Sequence, residues 1–202
     1  MDEESGASYD ITEEDALRAQ CYALLARVLS APPNDEVMAL VAGLNGDDSE
    51  LGQALSALAE VARHTTPQRL DDEYHELFIG VGRGELVPFG SYYLTGFLHE
   101  KPLAKLRQDM GRLGIARADD VHEPEDHIAS VCEMMFGLIG GSFGSPVPLA
   151  EQRRFFDAHL GSWAPKFFED LEAAKSAVFY MPVGRIGRLF MQVESAAFEM
   201  AA

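Results

Sequence analysis

His122-Glu123-Pro124-Glu125-Asp126-His127-Ile128-Ala129-Ser130-Val131-Cys132-Glu133-Met134-Met135 opens as a polar loop and becomes a patterned run within six residues. Pro124 suits a first helical turn, where its missing N–H costs nothing and its φ is already helical. Glu125 and Asp126 then fall beside the positive end of the helix dipole, each stabilised by a few tenths to about 1 kcal/mol. Beyond them Ile128, Val131, Cys132, Met135, Phe136 and Ile139 recur at helical spacing. This stretch therefore reads as a helix start with an amphipathic helix behind it.

The same pattern repeats outward in both directions. Thr12 with Glu13, Glu14 and Asp15 reads as a cap and acidic first turn, followed by Leu17, Cys21, Leu24, Leu25, Val28 and Leu29. Pro32-Pro33 ends that helix, and Asn34 caps a second through Val37, Met38, Leu40, Val41 and Leu44. A third carries Leu51, Leu55, Leu58 and Val61, and a fourth runs from Thr66-Pro67 through Leu70, Tyr74, Leu77 and Phe78. Pro102 starts another, which ends at Gly114. Three more helical segments follow the 124–139 helix, near 148–160, 164–178 and 182–200. No alternating strand and no fixed repeat appears. The expectation is an all-α, single-domain bundle of roughly eight to ten helices over residues 12–202, behind an acidic, mobile N-terminus of residues 1–11.

Composition narrows the function. Sixteen Lys and Arg against 33 Asp and Glu give a net charge of −17, which repels nucleic acid phosphate and favours a cationic partner. Cys21 and Cys132 lie in apolar helical patterns and read as buried, reduced thiols. Met1-Asp2-Glu3-Glu4 is unlike the basic start of an export signal, and no apolar run approaches the ~20 residues that span a bilayer. A cytoplasmic protein is expected.

Catalytic signatures are weak. His122 and His127 are five apart with a proline between them, whereas the zinc-protease motif needs them four apart on one helical face. Gly80-Val81-Gly82-Arg83-Gly84 leaves a helix instead of a strand and lacks the lysine of a phosphate-binding loop. Ser91 is not flanked as a nucleophile elbow requires. The reading is of no catalytic residue, no metal and no cofactor. Two alternatives stand beside it: a metal-dependent hydrolase using His122, His127 and Glu133, and a helical adaptor that binds through its acidic face. The loop from Gly80 to Tyr93 also carries Leu86, Val87, Phe89, Tyr92 and Tyr93, too apolar for a wholly solvated segment.

The order of features is more specific than any one of them. Glu73-Tyr74-x-x-Leu77-Phe78-x-Gly80-x-Gly82 leads into Pro88-Phe89-x-Ser91-x-Tyr93-x-x-Gly96, then Glu123-Pro124-x-Asp126-His127-Ile128 and Glu133-Met134-Met135. This resembles the cytoplasmic redox-enzyme maturation chaperones, which serve trimethylamine N-oxide, dimethyl sulfoxide and nitrate reductases. Residues 70–140 carry the resemblance. It implies an all-helical protein, not an enzyme, that binds the precursor of a molybdenum- or tungsten-containing oxidoreductase, often at its twin-arginine signal peptide, before cofactor insertion and export. The peptide-binding positions it implies are Tyr74, Leu77, Phe78, Phe89, Ser91, Tyr92, Tyr93, Glu123, Pro124, Glu125, Asp126 and His127. Asp126, Glu123 and Glu125 would meet the guanidiniums, and Phe97 would join the aromatics. Two positions depart from the family pattern: Val81 stands where many members have proline, and Gly90 where many have an acidic residue. The client is open, with formate dehydrogenase favoured, and so is the choice between monomer and helix-swapped homodimer, for which Gly140–Pro146 offers a hinge. Replacing Asp126 and His127 together by alanine is expected to weaken peptide binding and leave helicity and melting nearly unchanged.

Overall fold

The computed structural model describes residues 10–117 and 123–201. In chain order these form α1 (Glu13–Ser30), α2 (Asp35–Ala42), α3 (Glu50–His64), α4 (Pro67–Tyr74), α5 (Gly90–Thr95), α6 (Lys101–Leu113), α7 (Ile128–Gly140), α8 (Leu149–His159), α9 (Ala164–Glu172) and α10 (Tyr180–Met200). No strand occurs among the described residues, only one isolated antiparallel bridge between Phe89 and His127. The fold is all-α, in agreement with the periodicity. His122 and the first nine residues lie outside the described segments.

Capping follows the local chemistry. Thr12 and Asp15 form a reciprocal capping box at α1, and Asn34, Ser49 and Thr66 each accept a backbone N–H at the starts of α2, α3 and α4. α1 packs lengthwise against α7, while α10 packs on α9 and α3. Tyr22, Leu25, Val28 and Leu29 of α1 and Ile128, Val131, Cys132 and Met135 of α7 are all buried in this core. α1 runs antiparallel to α7. Arg18 near its start bonds Gln152 on α8, just past the end of α7, while the Leu29 carbonyl at its end accepts from Tyr74, which stands beside Glu123 ahead of α7.

A buried ionic cluster fastens these layers. Arg18 donates to both carboxylate oxygens of Glu194 at 2.7 and 3.0 Å, to Asp15 at 2.9 Å and to Gln152 at 3.0 Å, while the Tyr22 hydroxyl donates to Glu194 at 2.9 Å. Glu194 is wholly buried. The cluster ties α1, α8 and α10 together, and its full pairing offsets the desolvation of each charge.

Two features were not legible in the helical stripes. The fourth helix does not stop at Tyr74 but widens into a π-helical turn, His75–Ile79, of the kind that marks functional sites. The following glycine loop folds back onto it. Gly80 has φ +62° and ψ 178°, and a side chain on Gly84 would strike the Leu77 and Phe78 backbone. Only glycine tolerates the first and only a bare Cα the second. Two carboxylates then anchor this region to the α9–α10 turn. Glu73 accepts from the N–H groups of Val178, Phe179 and Tyr180 at 2.8, 3.1 and 2.8 Å, and Glu85 from those of Lys175 and Ser176 at 2.8 and 3.1 Å. The segment expected to stay helical to residue 178 therefore ends at Glu172.

Candidate functional site

The helix start that the sequence placed at Pro124 is displaced. α7 begins at Ile128 with His127 as its N-cap, and Pro124-Glu125-Asp126 forms a turn ahead of it. Tertiary pairing overrides local capping here. The Gly90 N–H donates to the Asp126 carbonyl at 2.9 Å, the Ser91 N–H to Asp126 Oδ2 at 2.7 Å, and the Ile128 N–H to the Pro88 carbonyl at 2.9 Å. The Asp126 carboxylate thus caps α5, a six-residue helix 35 positions earlier in the chain, where only a loop had been expected. This seam joins the two quoted motifs into one body.

The side chains of the seam are already committed. Asp126 and Ser91 are buried. His127 is buried too, its Nδ1 accepting from the Ala129 N–H at 3.2 Å and its ring meeting Phe89 edge-on at 5.0 Å. Burial pushes its pKa down to about 4, so the imidazole is neutral. Burial alone would raise the Glu125 carboxyl, but the Arg107 hydrogen bond at 2.9 Å, with Arg117 nearby, holds it below the usual range. Removing Asp126 and His127 together thus strips a buried cap from each of two helices. The expectation that melting would hardly change gives way to one of lost stability.

The other positions divide. Tyr74, Phe78, Phe89, Glu123 and His127 line one end of an elongated groove of about 1270 Å³. Leu77 points into the core. Tyr92 lies under the Arg83 guanidinium and bonds to it, and Tyr93 packs against Trp163 and Phe167 with its hydroxyl donating to Asp170 at 3.2 Å. Pro124 is half-buried, its carbonyl accepting from the His127 N–H at 3.1 Å. Leu77, Ser91, Tyr92, Tyr93, Pro124, Glu125, Asp126 and Phe97 lie outside the groove lining. Gly90 has a local reason. A side chain there would come within 3.0 Å of the Trp163 indole, whose ring fills the space an acidic residue would need.

Most of the groove comes from helices whose apolar residues read as core. Leu17 and Leu24 of α1, Leu40 of α2, Leu51 of α3 and Phe136 of α7 line it together with Ile79 of the π-helical turn. Leu17 is 58% exposed, Ile79 48%, Leu40 45% and Phe136 38%, although large apolar side chains seldom gather in one exposed patch without a binding role. A signal for this was present. The apolar arc of α1 is wider than one packed face: Tyr22, Leu25, Val28 and Leu29 are buried in the core. Leu17, Cys21 and Leu24 form a second stripe that lines the groove. At about 1270 Å³ the groove exceeds the ~300–1,000 Å³ of small-molecule pockets, and its length suits a chain segment.

A family model described as nitrate reductase delta subunit matches residues 44–169, more than half of the sequence. The chain belongs to that family. Among curated relatives, chaperone protein TorD of Vibrio parahaemolyticus is 25% identical over 174 residues, covering 80% of each chain. Chaperone protein TorD of Aliivibrio fischeri is 25% identical over 207 residues, covering 92% of this chain and 96% of that one. A solved structure from Archaeoglobus fulgidus, assigned to redox enzyme maturation, superposes with a TM-score of 0.57 at 19% identity, covering 93% of this chain and 99% of that one. This member of the family is accordingly a redox-enzyme maturation chaperone and not an enzyme. No helix among its described residues is long and apolar enough to cross a membrane.

Proposed function

We propose that this chaperone holds the precursor of a molybdenum- or tungsten-containing oxidoreductase in the cytoplasm by its twin-arginine signal peptide, seated in the groove between α1, α7 and the α2–α3 pair. The observation that carries the reading is the exposed apolar floor bordered by Glu123 and Glu133, which form no ion pair among the described residues. Magnitudes set the division of labour. Micromolar affinity needs about 8 kcal/mol, whereas an exposed ion pair supplies roughly 0.2–1 kcal/mol. Most of the affinity must come from burying leucine and aromatic surface, at about 25 cal/mol per Å² before association costs. This is helix-in-groove recognition.

Calorimetric titration of a synthetic signal peptide tests it. Phe136→Asp, an exposed change, should weaken binding by tenfold or more with helicity retained. Unchanged affinity in Phe136→Asp and also in Leu40→Asp would place the peptide elsewhere. The hydrolase reading loses support from the engagement of His127 Nδ1 with the Ala129 N–H and of its ring face with Phe89.

A further inference from the structure

We infer that the groove is sided, and that Glu133 selects for a guanidinium on one face of the bound segment while the leucines of α2 and α3 take its apolar face. This rests on the reading of the groove as a peptide site and adds which residue discriminates. Along α7 the lining residues are Ala129, Ser130, Glu133 and Phe136, the last three spaced three apart and so rising about 4.5 Å each along one helical face. The other wall comes from α2, α3 and the loop between them, with Leu40, Leu44, Leu51 and Leu55 beside Asn45, Asp47 and Ser49, on a helix pair that packs through α3 onto α10. One wall thus presents a carboxylate between a hydroxyl and an aromatic ring, and the other presents four leucines with Asp47, already bonded to Ser49.

The acids in and around this site differ in how far they are engaged. Asp126 holds the Ser91 N–H, Glu125 holds Arg107, and Asp47 holds the Ser49 N–H and hydroxyl. Glu123 lines the groove beside Tyr74, ahead of α7, and forms no ion pair among the described residues. Glu133 is exposed on the middle of the α7 wall and forms no ion pair among the described residues. A guanidinium docked there gains a charge-assisted, bidentate partner beside apolar surface that thins the surrounding water. A glutamine in the same place gains much less. Glu133 therefore contributes discrimination, and the leucines contribute affinity.

The test uses the full chain and two synthetic peptides sharing one apolar helix-forming segment, preceded by Arg-Arg or by Gln-Gln, titrated calorimetrically near physiological salt. The wild type should prefer Arg-Arg by about fivefold. Glu133→Gln should remove that preference while keeping the Gln-Gln affinity, and Leu44→Ala should weaken both peptides alike. Glu133→Arg should reverse the order when a Glu-Glu peptide replaces Arg-Arg. A preference that survives in Glu133→Gln overturns the inference, as does a loss shared equally by both peptides. Equal wild-type affinity for the two peptides also overturns it but leaves the groove reading standing, whereas no binding of either defeats both.

Discussion

His127 carries a titration that the rest of its surroundings make costly. Its folded pKa of about 4 lies below the ordinary 6.5 because the charged ring would be desolvated. The unfolded chain therefore binds a proton that the folded chain refuses, and the stability attached to neutral His127 is full above pH 6.5 and drains away as pH falls toward 4. His127→Asn keeps a short side-chain acceptor at the N-cap without the titration. Thermal melting from pH 7 to about 4.5 should fall more steeply in the wild type than in His127→Asn, and parallel curves would remove the imidazole from the account. Asp126 makes a second case. Asp126→Ala leaves the buried Ser91 N–H without its acceptor, and unfolding in urea should register a loss of about 1–3 kcal/mol. A peptide-binding defect in that variant would then need to be separated from its instability.

At the level of helices, α1 does two jobs on two faces. One face packs on α7 and the Arg18–Glu194 cluster, and the other forms the groove floor. Glu194→Ala leaves Arg18 charged, buried and short of its main partner, which costs about 3–5 kcal/mol. Its Tm should drop by roughly 10 °C; a change of a degree or two in scanning calorimetry would mean that water has taken the carboxylate's place. The helices with wide apolar stripes and local caps were readable in advance, because Thr12, Asn34, Ser49 and Thr66 act on their own neighbours. α5 was not, because the carboxylate that caps it arrives from Asp126, and no local pattern announces a partner that distant. The π-helical turn escaped for a similar reason. Its stop is fixed by Glu73 and Glu85 reaching the α9–α10 turn, a contact that spacing along one helix cannot reveal.

For the molecule as a whole, reading the sequence located the seam and one end of the trough beside it, but not the rest of that trough. The quoted motif residues Asp126, Ser91 and Leu77 hold the scaffold together, while Tyr74, Phe78, Phe89, Glu123 and His127 of the same motifs reach one end of the groove. The groove's leucines were visible as apolar positions, yet periodicity alone cannot tell a stripe that meets another helix from one that meets water.

That stripe has a consequence for the protein when it is empty. A chaperone between clients exposes Leu17, Ile79, Leu40 and Phe136 to solvent, the same surface that would adhere to another unoccupied copy. The net charge of −17 acts against that adhesion by keeping copies apart, over a range of about 8 Å in physiological salt and only about 3 Å at 1 M. Acidity here works as a colloidal spacer. Sedimentation velocity should show the peptide-free chain self-associating as salt is raised, and a saturating signal peptide should suppress it by covering the adhesive surface. Indifference of the sedimentation coefficient to salt and peptide alike would show that the leucines are too dispersed to make copies adhere.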